Sequence, residues 1–122
     1  MILADASVWI DHLRARDDVL VKHLSAGNIL VHPFVIGEIA LGHLRQRDLV
    51  VRMLQRQKQG VVASHDEVMQ LVEAERLFGL GIGYVDAHLL ASARLTPGSS
   101  LWTRDKRLRE ISRKLGIGSA LP

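Results

Sequence analysis

The first ten residues constrain the fold more than any other stretch. Ile2, Leu3 and Ala4 are apolar without alternation, the pattern of a strand covered on both faces, as strands of parallel sheets are. From Val8 the spacing changes: Val8, Trp9, His12 and Leu13 fall at helical intervals, so Asp5 stands at a strand-to-helix junction. In open parallel sheets ligands bind at such junctions, outside the carboxyl ends of the strands. An aspartate there also serves as a helix N-cap, and Asp5 taken alone supports either role.

The rest of the chain repeats the alternation of short apolar runs and helical patterns. A short helix with Val19, Leu20 and Leu24 ends near Gly27, and Asn28 to Val31 reads as a second strand. His32-Pro33 opens a helix whose apolar pattern runs from Phe34 to Leu44, and Arg45 to Gln59 predicts another, with Leu49, Val50, Met53 and Leu54 inward. Val61 to Ala63 reads as a brief third strand, and Ser64 with Glu67 forms a capping box for a helix reaching nearly to Gly79. The glycine-rich stretch Gly79 to Gly83 follows a helix, whereas a phosphate-cradling loop follows a strand, so it reads as a connector. Tyr84 to Leu95 is a helix, Ser100 to Thr103 a fourth strand, Asp105 to Leu115 a last helix, and Ile117 at most a fifth edge strand. Such alternation predicts one three-layer α/β/α domain over residues 1–122, with a central parallel sheet of four to five strands.

A chain of 122 residues is long enough to bury about two-thirds of its unfolded surface without staples. The absence of cysteine excludes disulfides, thiolate zinc sites and thiol nucleophiles. No apolar run approaches the ~20 residues of a membrane span, so a soluble cytoplasmic protein with no membrane partner is expected. A formal charge of +3 and a pI near 9.8 lean towards an anionic partner such as nucleic acid. The basic residues crowd into Arg45 to Lys58 and Arg104 to Lys114, while several acids sit singly among apolar residues.

Those isolated acids carry the functional signal. Glu38 has Phe34 and Val35 a turn before it and Leu41 a turn after, so its helix face is apolar. Asp86 shares a face with Leu89, Leu90 and Ala93, and Asp105 follows Leu101-Trp102 as Asp5 follows its own strand. Each has an ordinary alternative: a snorkelling glutamate, a first-turn acid favoured by the helix dipole, and an N-cap. As a set they are two acids at strand ends and two near the starts of apolar helices, all on one edge of a parallel sheet. Converging carboxylates repel unless a cation holds them, and an all-oxygen set suits Mg²⁺ or Mn²⁺. The histidines at 12, 23, 32, 43, 65 and 88 show no metal-binding spacing. Acids with such metals hydrolyse phosphodiesters, the metal activating water and stabilising charge on phosphate. Ser7 and Thr103 place hydroxyls beside Asp5 and Asp105, to orient a carboxylate or water or to act as local caps. Arg104, Lys106, Arg107 and Arg109 read either as a phosphate-contacting rim or as a solvated helix face.

Four segments together, Leu3 to Asp11, Val35 to Ala40, Tyr84 to Ala91 and Leu101 to Leu108, resemble the PIN domain, and more narrowly its VapC type of toxin ribonuclease from type II toxin–antitoxin pairs. The resemblance spans nearly the whole chain in the family's order. It implies that Asp5, Glu38, Asp86 and Asp105 bind Mg²⁺ or Mn²⁺ and that Ser7 and Thr103 belong to the catalytic site. It implies endoribonucleolytic cleavage of structured RNA leaving a 5′-phosphate and a 3′-hydroxyl, a VapB-like antitoxin lying across the site in a hetero-oligomer, and a homodimer. A PIN nuclease of RNA processing without a toxin role, and a non-catalytic α/β interaction module whose acids are caps, remain the alternatives.

Overall fold

A computed structural model describes residues 1–122. Three short strands, β1 (Ile2–Ala4), β2 (Ile29–Leu30) and β3 (Ser100–Trp102), form a parallel sheet in the order β2-β1-β3. The helices are α1 (Ala6–Arg14), α2 (Asp18–Ser25), α3 (Pro33–Ala40), α4 (Arg47–Arg56), α5 (His65–Ala74), α6 (Tyr84–Leu95) and α7 (Lys106–Lys114). β1 is central, pairing Leu3 with Leu30 on one side and Leu101 on the other. Burial on both faces explains its unalternated run: Leu3, Ala4, Leu30, Leu101 and Trp102 are all buried.

The sheet has three strands, not the four to five expected. Val61 to Ala63 forms no strand, because the Val61 N–H is taken by the Thr96 hydroxyl at 2.9 Å instead of a ladder carbonyl. Val61 and Val62 lie exposed, and that edge carries a single parallel bridge, Val31 to Gln59. At the other edge the expected Ile117 strand is likewise one bridge, Leu101 to Gly118. A ladder this short fixes a direction but too few bonds to count as a strand.

Two helices are shorter than their apolar patterns. α3 ends at Ala40, leaving Leu41 90% exposed in a loop over residues 41–46 that closes with Gln46 in the left-handed region at φ 53°. α4 then buries Leu54 but leaves Leu49, expected inward, exposed. α5 stops at Ala74, where Arg76 at φ 53° turns the chain and still delivers Leu77 to the core.

The chain leaves β1 towards β2, and leaves β3 towards the opposite edge at Gly118. The carboxyl ends of β1 and β3 therefore flank the switch point of the sheet, where connections diverge and open a crevice. Asp5 and Thr103 are the first residues beyond those two ends.

Candidate active site

Asp5 is built into this crevice by local and distant bonds together. Its N–H continues the ladder to the Trp102 carbonyl at 2.9 Å. One carboxylate oxygen accepts from the Ala6 N–H at 2.7 Å, capping α1. The other accepts from the Ser7 hydroxyl at 2.9 Å and the Thr103 hydroxyl at 2.8 Å. The side chain is buried, and these three donors satisfy it there. The cap and the candidate site acid are thus the same residue.

Thr103 joins the two strand ends. Its hydroxyl donates to Asp5 and accepts from the Asp105 N–H at 3.1 Å, so β1 and the start of α7 share one buried oxygen. The Ser7 hydroxyl donates to Asp5 and accepts from the Arg104 N–H at 3.0 Å. Both hydroxyls therefore orient backbone and carboxylate at once.

The other three acids come from three further helices. Asp105 caps α7 through one oxygen, bound to the Leu108 N–H at 2.9 Å. Asp86 uses one oxygen on the Gly83 N–H at 3.0 Å, closing the entry to α6. Glu38 projects from α3 and has no hydrogen-bond partner. Partial burial, then the charges of Asp5 and Asp86, holds the Glu38 carboxyl above its ordinary range, though its side chain still meets solvent. Asp86 is also raised, first by burial and then by Asp5 and Asp105, against the lowering effect of the Gly83 N–H. Glu38 thus feels Asp5 and Asp86, Asp86 feels Asp5 and Asp105, and none of the four belongs to any of the five ion pairs in the structure.

The profile of the PIN domain matches residues 2–114. The chain belongs to the PIN domain family. Among its relatives is Ribonuclease VapC32 of Mycobacterium tuberculosis, in strains CDC 1551 / Oshkosh and ATCC 25618 / H37Rv. Each is 50% identical over 120 residues, covering 98% of this chain and 97% of the relative.

The oxygen donors of this PIN domain suit a hard cation in chemistry, but no group of three or more His, Asp or Glu side chains is arranged as a ready metal cage. Mg²⁺ rarely uses such a cage, being held by one or two carboxylates, waters and substrate phosphates. Glu38 keeps both oxygens, and Asp86 and Asp105 one each, outside any hydrogen bond. The donor set fits on those terms.

The basic residues next to Asp105 divide. The Arg104 guanidinium is not a free rim: it bonds Asp11, Asp17 and the Pro122 carbonyl, and lies 5.4 Å from the Trp102 ring centre. Arg109 donates to the Thr103 carbonyl at 3.2 Å, a buttress behind the site that no sequence spacing signalled. Arg107 crosses Gly81, where a Cβ would fall 2.2 Å from its guanidinium and where φ is +81°. The backbone angle calls for glycine, and the loop leads on into Gly83 and the Asp86 cap.

Also absent from the sequence reading is a ring cluster linking α3 to α6. His32 caps α3 by accepting from the Phe34 N–H at 3.0 Å, and the buried His88 ring meets both Phe34 and Tyr84 edge-on, each at 4.6 Å. This cluster ties the helix bearing Glu38 to the helix bearing Asp86. Desolvation, then the nearby His88, lowers the His32 pKa to about 4.

Proposed function

We propose that this protein is a metal-dependent endoribonuclease of the VapC type, hydrolysing phosphodiester bonds of structured RNA. The observation that carries this reading is the set of four carboxylates: Asp5 and Asp105 at strand ends, Asp86 in the first turn of α6 and Glu38 in the last turn of α3. Glu38 and Asp86 are both raised by the neighbouring acids, and none of the four pairs with a cationic side chain. The 50% identity to proteins named Ribonuclease VapC32 supports it independently.

Asp5, Glu38, Asp86 and Asp105 would hold Mg²⁺ or Mn²⁺, which supplies an activated water and charge stabilisation on the attacked phosphate. The protein's own work is placement. Ser7 and Thr103 lock the Asp5 carboxylate, the Gly83 N–H fixes one oxygen of Asp86, and the first turn of α7 fixes one oxygen of Asp105. Each restrained acid thereby presents a defined face to the crevice, so less freedom is lost when the site is filled.

The same reading takes residues 1–122 as one three-layer α/β/α domain, supported by α1 packing on β1 and by α6 and α7 packing on β3. It brings with it a cytoplasmic location, a VapB-like antitoxin in a hetero-oligomer, and a homodimer. No helix is long and apolar enough to cross a membrane. Purified protein is expected to cleave RNA with Mg²⁺ or Mn²⁺ and to stop in EDTA. Wild-type cleavage rates from Asp5→Asn would overturn the assignment of the acids.

A further inference from the structure

Beside the acids, the surface folds inward into a cavity of about 360 Å³ between α1, α3 and the loop over residues 41–46. Ile10, Leu13, Ile39 and Leu44 form its apolar walls, and His43 stands among the polar ones. Arg14 and Arg45 stand exposed at its lining, and neither guanidinium takes part in an ion pair or a side-chain hydrogen bond. Arg16, Arg47, Arg94 and Arg104, by contrast, are paired with acids. Two unpaired guanidinium groups thus stand together at one partly apolar hollow.

Glu38 lines this cavity and also belongs to the acid cluster. Whatever fills the cavity is thus contiguous with whatever reacts at the acids. Unpaired RNA bases are recognised by being splayed out, packed on apolar or planar surfaces and stacked on guanidinium planes, while arginines hold the flanking phosphates. The volume lies in the range of small-molecule sites. A partner helix would instead need an extended row of anchor pockets.

We propose that this cavity is a base-binding subsite for one unpaired nucleotide next to the scissile phosphodiester. Arg14 and Arg45 hold the adjoining phosphates, and the apolar walls select the base. The subsite rests on the ribonuclease reading above, because Glu38 supplies its link to the reaction. It also gives the basic charge of this face a local purpose that the arginines around Asp105, largely engaged with protein groups, do not serve.

The test uses full-length protein and a cleavable structured RNA, comparing wild type with Ile10→Trp, which fills the cavity from the exposed side of α1, and with the double variant Arg14→Gln/Arg45→Gln. Loss of base packing is worth roughly tenfold to a hundredfold in apparent affinity. Ile10→Trp is expected to raise KM by about that factor and to broaden the distribution of bases flanking the mapped cuts. The double variant is expected to raise KM with the base distribution retained and with a shallower dependence on salt. The Mg²⁺ concentration giving half-maximal thermal stabilisation should stay at its wild-type value in both, reporting folded protein with intact acids. Unchanged KM and cut-site distribution in Ile10→Trp, with wild type active, would overturn the subsite alone. So would a variant that cleaves normally but no longer associates with an antitoxin, which would assign the cavity to a protein segment. Absence of metal-dependent cleavage by wild type would overturn the ribonuclease reading and the subsite together.

Discussion

Replacing Thr103 by valine removes one hydroxyl while keeping the shape of the side chain. In the structure that hydroxyl donates to the Asp5 carboxylate at 2.8 Å and accepts from the Asp105 N–H at 3.1 Å, and Thr103 is only 2% exposed. A hydrogen bond to a charged group contributes about 1.5–3 kcal/mol, and a donor left without a partner costs about 1–3 kcal/mol. Asp5 retains Ser7 and Ala6, and the Asp105 N–H lies nearer solvent, so a loss of about 3 kcal/mol is expected from the two together. With an unfolding entropy of about 2.1 cal/mol/K per residue, a chain of 122 residues loses about 4 °C of Tm per kcal/mol, hence about 12 °C. Thr103→Ser keeps the hydroxyl and deletes a buried methyl, a change of about 1 kcal/mol or about 4 °C. Thermal unfolding of both variants in EDTA isolates the network from any bound metal. A Thr103→Val protein melting within about 2 °C of Thr103→Ser would refute the view that this oxygen joins the two strand ends.

Asp86→Asn removes a carboxylate whose charged form is disfavoured by burial and by Asp5 and Asp105, so it should raise Tm in EDTA while abolishing cleavage and the stabilisation by Mg²⁺. A lower Tm in EDTA would mean that the amide fails to keep the Gly83 cap. His32 is buried and neutral with a folded pKa of about 4 against an ordinary 6.5, so its stabilising contribution is complete above pH 6.5 and is lost as pH falls towards 4. The loss amounts to about 3 kcal/mol, and His32→Asn, which keeps an acceptor for the Phe34 N–H, should flatten denaturant-measured stability across that window. Arg104→Ala deletes bonds to Asp11, Asp17 and Pro122 and leaves Asp17 sparsely exposed without its cation, for a loss of about 2 kcal/mol after allowing for solvent at the pairs. Urea unfolding within 0.5 kcal/mol of wild type would show these contacts to be incidental; that threshold is about the spread of ordinary surface substitutions.

What reached the crevice was legible where a residue's bonds close within a few positions of chain. Asp5, Asp105 and the Ser64–Glu67 box all cap the helices that follow them, and these contacts need only the local backbone. The unalternated runs at Ile2, Ile29 and Leu101 marked the strands for the same kind of reason, since burial on both faces is written in the residues themselves. The four candidate acids stood out in the same way, Glu38 and Asp86 as charges on apolar helix faces and Asp5 and Asp105 as acids at strand ends.

The sequence by itself therefore determined the α/β class, the strand-to-helix junctions and the identity of the candidate acids. Tertiary structure decided which donors reached which acceptors across the chain. Thr103 meets Asp5 from 98 residues away, and Arg104 turns from the expected phosphate rim to Asp17, 87 residues back. The Val61 N–H goes to the Thr96 hydroxyl, which is why a segment of good strand composition adds no strand. Hydrogen bonds compete for a limited set of partners, and that competition is settled only when distant segments pack together.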